Sequence, residues 1–504
     1  MNDNPPLSTR ENQPVIQKLI EISIPITILI IGGTLRFYKL GFKSLWADEG
    51  ITWILAKFDV PAHGHPHLFF SIVGFIMKLF GETEFALRLL SAGSGTLLLI
   101  ISYLITRKLF DKRIASLQML ILAISPVAIY SSQNARMYSL CTLGMMFSLY
   151  FFIKAIENDF WKYWLFFAVL NAFNLLIDHT SAFPLIAYFI FIFIKKEIIP
   201  GRMKKFLYSG LFTTLLYSYE LPKTYLNLSF MSEGGYASKI STISAFPVKF
   251  AQLSYYLSTG YILYPINKDI LKNPPYAVFF IVSFIFIGFT LAIGVYKLFM
   301  SSDIGKCLLL AGFISLFLQV ILSGYLPYKL VFPLTLFTMV LSIGLNYVKS
   351  HWRKVIFLLY LVIVAFNLNH YYSLDSLPSH PENWRNAANY LKMNANPDEL
   401  IHTTGNRNGL FTLRFYLGDT KLKSECRTPE VDLLGDYDYE RTKRYDFELV
   451  LKNGIKNYNR MWVLFEDWGS VKHKTALKEI IQKYPKSRYV QSFGSGLQLF
   501  LLER

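Results

Sequence analysis

The sequence predicts a polytopic α-helical membrane protein of about eleven spans, followed by a C-terminal α/β domain. Three observations predict it. The 504-residue chain is 53% hydrophobic and only 17% charged, against about 25% charged in an average globular chain. Apolar runs recur from Ile20 to Tyr372, each near the roughly 20 residues that cross a hydrocarbon core. After Tyr372 the pattern turns to short strands and amphipathic helices of soluble composition.

The expected spans cover about 17–36, 85–106, 114–131, 137–154, 161–178, 180–194, 206–220, 275–298, 307–324, 329–347 and 354–371. The connections "TRKLFDKR", "KKEIIPGRMKK" and "VKSHWRK" are basic and the others mostly are not. The positive-inside rule then places the N-terminus and the basic loops in the cytoplasm. The segment "HPHLFFSIVGFIMKLF", 65–80, is apolar but short, and it carries His65, His67 and Lys78. A span there would invert every later basic loop, so it is expected to be an amphipathic helix at the outer surface or re-entering the protein.

The module 1–371 thus has two long outer loops, 37–84 and 221–274, the second rich in Tyr, Ser and Lys. The domain 372–504 is expected outside, with helices over "NWRNAANYLKMNA" and "VKHKTALKEIIQKY" and strands over "DELIHTTG" and "MWVLFED". A terminal hairpin is expected across Gly494 and Gly496. The first apolar run lacks a small-residue cleavage site and reads as a retained helix. The localisation that follows is the cell (inner) membrane, multi-pass, with an extracytoplasmic C-terminal domain.

The net charge of +17 suits cytoplasmic loops and anionic lipid; no nucleic-acid motif accompanies it. Cys141, Cys307 and Cys426 are far apart with no CxxC, which indicates neither a disulfide framework nor a cysteine metal site.

Polar clusters gather at the outer ends of the spans. "KSLWADEGITW" sets Asp48 and Glu49 side by side between Trp46 and Trp53. The plain reading is a cap for a short helix beginning at Ile51, flanked by interfacial tryptophans. In "YSSQNARMYSL", Arg136 stands among Gln133, Asn134 and Tyr138. It is either an interfacial arginine or a fork for a phosphate. Lys329 follows Tyr325 and Tyr328, and "DHT" places Asp178 and His179 at the outer end of the fifth span. Two motifs carry less. "DYD", 436–438, has no nucleotide-binding pattern around it and reads as a solvated turn, and "GSGTLLL", 93–99, reads as a helix-packing patch.

"LRFYKLGFKSLWADEG", "HPHLFFSIVGFIMKLFGETEFALRLLSAGSG" and "SPVAIYSSQNARMYSL" resemble the N-terminal pattern of bacterial protein O-mannosyltransferase-like glycosyltransferases (family 39) of the GT-C superfamily. "PYKLVFPLTLF" and "ENWRNAANYLKMNANPDELI" are similar to the family's late span and outer domain. The resemblance implies a GT-C fold and inverting transfer of a sugar from a polyprenyl-phosphate-linked donor, at the outer membrane face, to a hydroxyl of a protein, lipid or glycan. It carries the family's loop aspartate to Asp48 as base, with Glu49 beside it. Arg136 and Lys329, with His65 and Tyr138, are then the candidates for the donor phosphate, and Asn134, Asp178, His179 and Tyr328 for other substrate contacts.

The sequence departs from the family at Asn134, where an acidic residue is common, at "HPH" for "HPP", and at Lys329, where arginine is common. A second carboxylate, if one is needed, would come from Glu49, Glu84 or Asp178. No cofactor is required, and a divalent metal, if present, would fall to Glu49 or Glu84. The rival readings are a lipid-linked-sugar flippase or transporter, and a glycan ligase or polymerase of related fold.

Overall fold

The computed structural model describes residues 8–59, 65–195, 201–222, 274–322, 329, 331–377, 380–397, 399–403, 407–418, 423–424, 458–466, 471–484 and 486–503. Most of the 221–274 loop, Tyr328 and the "DYD" turn lie outside the described residues.

A helix stands at each expected span. The N-terminal half holds α1 (Ser8–Phe37), α4 (Glu84–Leu109), the bent pair α5 (Lys112–Ile124) and α6 (Pro126–Ser132), α7 (Tyr138–Asn158), α8 (Trp161–Leu175), α9 (Phe183–Ile194) and α10 (Arg202–Tyr217). Later come α11 (Pro274–Ser301), α12 (Asp303–Leu322), α13 (Val331–Tyr347) and α14 (Ser350–Ser373). Among the described residues, five helices are individually long and apolar enough to cross a membrane, and the α5–α6 pair makes a sixth. The molecule is a multi-pass membrane protein.

The α5–α6 bend of 61° has a chemical cause. Pro126 has no N–H to donate, so the carbonyl of Leu122 loses its helical partner. Arg36 of α1 supplies the replacement: its Nη2 donates to Leu122 O at 3.1 Å and its Nη1 to Ala123 O at 3.0 Å.

Two short helices occupy the first loop, α2 (Ala47–Phe58) and α3 (Leu68–Phe80). The α3 helix is the expected amphipathic segment. Phe69, Phe70, Val73 and Met77 are buried, while Phe75, Leu79 and Phe80 are exposed. Gly74 lets α3 lie against the Ala56 carbonyl of α2, since a Cβ there would collide with it.

Beyond α14 come α15 (Trp384–Asn394), β1 (Leu400–Thr403), α16 (Arg407–Leu417), β2 (Lys423–Ser424), β3 (Arg460–Glu466), α17 (Val471–Lys483), β4 (Arg488–Ser492) and β5 (Leu497–Glu503). The strands form one sheet in the order β2-β1-β3-β5-β4. The β1 strand pairs in parallel with β2 and β3, and the β4–β5 hairpin is antiparallel to that edge through β3–β5. The near-continuous apolar run of β3, "RMWVLFE", fits a central strand covered on both faces. Gly494, with φ +70°, turns the hairpin, as its sequence anticipates.

Candidate active site

The site is built around the N-terminus of α2. Its first turn carries both Asp48 and Glu49, but successive helical residues point about 100° apart, and the two carboxylates have separate surroundings. Glu49 is fully buried. Its Oε1 accepts from Arg88 Nε at 2.8 Å and from the Ala135 N–H at 2.8 Å. Its Oε2 accepts from Arg88 Nη2 at 2.6 Å and from the Trp46 N–H at 3.4 Å. Both oxygens are engaged by donors, so the expected catalytic or metal-binding role of Glu49 is corrected to a structural one. The cap reading that the sequence offered for the pair fits Glu49.

Arg88, from α4, has no exposed surface to speak of. Beyond Glu49 it donates from Nη1 to Leu40 O (3.0 Å) and Lys43 O (2.9 Å), and from Nη2 to Ser44 O (3.3 Å). One guanidinium therefore fixes the whole turn that leads into α2.

The turn after α6 brings the opposing groups. Gln133 Nε2 donates to the last carbonyls of α1 and the next turn, Leu35, Arg36 and Tyr38, which anchors "SQNARMY" to the first span. Asn134 Oδ1 accepts from Trp46 Nε1 at 3.1 Å, and the Trp46 ring stacks on His380 with centroids 3.7 Å apart. Arg136 is buried; its Nη2 lies 3.9 Å from Asp48 Oδ2 and 3.3 Å from His65 Nε2, and its Nη1 donates to Asp48 O at 3.4 Å. The Asp48 side chain is 31% exposed. Asp48 is thus an accessible carboxylate against a buried guanidinium.

Tyr138, Asp178 and Lys329 line one cleft together with Thr142, Thr180 and Gln319. Asp178 also caps the following turn by accepting from the Thr180 N–H at 2.8 Å. His179 is held by Tyr217, with Nε2 2.7 Å from the phenol oxygen. Burial, and then the charges of Arg136 and Lys329 with the nearby His179 adding to them, hold the His65 imidazole well below the usual histidine range. The candidate cations therefore share one electrostatic neighbourhood.

Glu84, the other acidic residue weighed for a metal, is paired with Arg385 of α15. Arg385 Nη2 and Nε reach Glu84 Oε1 at 2.6 and 3.1 Å. Through Oε1 the carboxylate fastens the sheet-bearing region to α4. Arg385 also donates to the carbonyls of Phe42 (2.6 Å) and Gly41 (3.0 Å), so the 40–44 turn is gripped by Arg88 on one side and Arg385 on the other. The α16 helix lies directly on α2. A Cβ at Gly50 would strike the Thr412 hydroxyl and come within 2.7 Å of its backbone nitrogen, while Thr412 Oγ1 donates to Trp46 O at 3.3 Å. Sequence reasoning missed Arg88, Arg385 and Thr412.

Lys43 was also missed. Its buried Nζ donates to Tyr371 O at 2.6 Å and Leu374 O at 2.5 Å. Burial, aided by Arg88 and Lys39 and opposed by Asp375, pushes its amine from the ordinary 10.5 down to about 7. Between those two values the unfolded chain holds a proton that the folded chain has shed, so stability rises with pH across that window. Thermal unfolding of the detergent-solubilised protein should show that rise, and Lys43→Met should flatten it; an unchanged slope would refute the assignment.

Comparison with known proteins bears on what this geometry serves. Residues 64–219 match the family model of dolichyl-phosphate-mannose-protein mannosyltransferases. Apo ArnT from Cupriavidus metallidurans aligns at 12% identity and a TM-score of 0.61, over 96% of this chain and 98% of that one. This chain shares the fold of ArnT. The same ArnT bound to undecaprenyl phosphate aligns at 13% identity, covering 94% of this chain and 97% of that one, with a TM-score of 0.56. The archaeal oligosaccharyltransferase AglB from Archaeoglobus fulgidus, in complex with an inhibitory peptide and a dolichol-phosphate, aligns at 13% identity. That match covers 89% of this chain and 70% of AglB, with a TM-score of 0.54. No curated protein sequence matches the chain. The resemblance to protein O-mannosyltransferase-like GT-C enzymes is borne out. The family match takes in His65, Arg136, Tyr138, Asp178 and His179, while Asp48 precedes it and Lys329 follows it.

Proposed function

We propose that the protein transfers a sugar from a polyprenyl-phosphate-linked donor to an acceptor hydroxyl at the outer face of the membrane, with inversion. The observation that carries this reading is the pairing of an accessible Asp48 carboxylate with the buried Arg136 guanidinium, 3.9 Å apart. Asp48 takes the proton of the acceptor hydroxyl, whose oxygen forms a bond to the anomeric carbon. The bond from that carbon to the phosphate oxygen breaks, and the electron pair leaves with the polyprenyl phosphate. Arg136 and Lys329 stabilise the charge that grows on it.

Both ArnT and AglB have been solved with a polyprenyl or dolichol phosphate bound, which supports a lipid-phosphate donor here. Tyr138 and Asp178 line the cleft with Lys329 and are proposed to contact the sugar, as are His179 and Tyr328. Asn134 holds Trp46 and acts through it. Glu49 and Glu84 are bonded to arginines and do not fit a metal site, so no step is assigned to a metal. On this reading the α3 helix and the region after α14 lie on the outer side of the membrane, which is supported by the basic loops expected within.

The test is binding of a polyprenyl phosphate to purified protein. Arg136→Gln should weaken it by about 10–100-fold, the effect of deleting a charged hydrogen-bonding partner worth roughly 1.5–3 kcal/mol. Lys329→Gln should weaken it in the same direction. Unchanged affinity in both variants would overturn the phosphate assignment.

A further inference from the structure

We propose that His65 is neutral in the empty site and takes up a proton when the lipid phosphate binds, so that donor and product binding are coupled to proton uptake. The inference rests on reading Arg136 and Lys329 as the phosphate site, and it adds a linked proton that this reading does not require.

The geometry fixes the starting state. Arg136 Nη2 lies 3.3 Å from His65 Nε2, and a guanidinium can only donate. His65 Nε2 must therefore offer a lone pair, which leaves the ring neutral with its proton on Nδ1. The groups facing the ring agree. Arg136 reaches it from the turn before α7, Lys329 acts from ahead of α13, and His179 acts from the turn before α9. Asp48, on α2, meets Arg136 on the same guanidinium nitrogen, Nη2. Among the described residues the ring thus sits on the positive side of the site, and burial adds to the cost of charging it.

A bound phosphate reverses that field. An anion placed among Arg136, Lys329 and His65 becomes the nearest charge to the ring, and opposite charge at hydrogen-bonding range favours the protonated imidazolium. Arg136 then turns its donors to the phosphate oxygens, and His65 turns from acceptor to donor. The sugar donor is a phosphate diester with one negative charge. The product is a monoester whose second ionisation lies near pH 6, so it carries close to two charges at neutral pH. Protonation of His65 should therefore be more complete with the product than with the donor, offset in the net balance by any proton the monoester itself releases on binding.

The experiment is titration calorimetry of the full-length, detergent-solubilised protein at about pH 6.5, in two buffers of different ionisation enthalpy. The probe is a short-chain polyprenyl methyl phosphate, a diester that does not itself titrate in that range. The wild type should take up between about half and one proton per bound probe. His65→Asn should bind more weakly with an uptake near zero, and His67→Gln, at a ring held by Asp59 outside the site, should keep the uptake. His65→Gln serves as a second replacement should the asparagine variant fail to fold. Binding without uptake in the wild type, or uptake that survives in His65→Asn or His65→Gln, would overturn the proton linkage and leave the phosphate site standing. Probe binding that is indifferent to Arg136→Gln would instead overturn the phosphate reading beneath it.

Discussion

Glu49→Gln should destabilise the protein by about 3–5 kcal/mol, the range for breaking one partner out of a buried ion pair. The substitution leaves the Arg88 guanidinium charged inside the protein, where it has no exposed surface to speak of. It also replaces an acceptor of four donors with an amide that has only one oxygen, so that at least one of Trp46 N–H, Ala135 N–H or the Arg88 nitrogens loses its partner. Converting both residues to apolar side chains, which often rescues a buried pair, should fail here. Arg88 also holds the carbonyls of Leu40, Lys43 and Ser44, and a methionine would take that donor from all three, leaving Lys43 O only its 3.4 Å contact from Arg385 Nη2. Thermal unfolding of Glu49→Gln and of the double variant Glu49→Leu/Arg88→Met would check both statements. A Glu49→Gln variant that melts with the wild type would refute them.

The second large effect falls on turnover and comes from α16, in the region after α14. Gly50→Ala puts a Cβ within 2.7 Å of the Thr412 nitrogen and 2.9 Å of its Cα. These are backbone atoms of α16 and cannot swing away as a side chain would. The α2 helix must then shift, taking Asp48 with it. Misplacement of a reacting group by about 1 Å can cost on the order of 100-fold in rate, while overpacking costs about 1–3 kcal/mol of stability. Gly50→Ala should therefore lose about 100-fold in kcat and remain folded. Adding Thr412→Gly should not restore activity, because it removes the hydroxyl and leaves the backbone contact. Full activity in Gly50→Ala would show that α16 does not set the position of α2.

The positions of the apolar helices and the amphipathic α3 were legible in the sequence because both depend on local composition. Phe69, Phe70, Val73 and Met77 repeat at helical spacing and mark the buried face. The proximity of Asp48 to Arg136 was legible only through topology, which brought the outer ends of separate spans together. The role of Glu49 was not legible. Its partner Arg88 is 39 residues away and lies inside an apolar run, where nothing local marks it as buried and paired. Arg385 and the 40–44 turn are separated by more than 300 residues, a distance no local pattern spans. The α16 helix was missed because Gly409 stands near its start and Thr412 and Arg414 interrupt its apolar face. The signal that could have found it is Gly418, which follows the last turn with φ +62° as a helix-ending glycine does.

The central claim is that Asp48 is the base and Arg136 the phosphate clamp of one site. The most direct measurement compares wild type and Asp48→Asn, purified and reconstituted, for release of polyprenyl phosphate from a lipid-linked sugar in the presence of acceptor. Removing a general base typically costs about 100- to 10,000-fold in rate, so the asparagine variant should bind donor with near wild-type affinity and show transfer reduced by that factor or more. Transfer at the wild-type rate by Asp48→Asn would contradict the account.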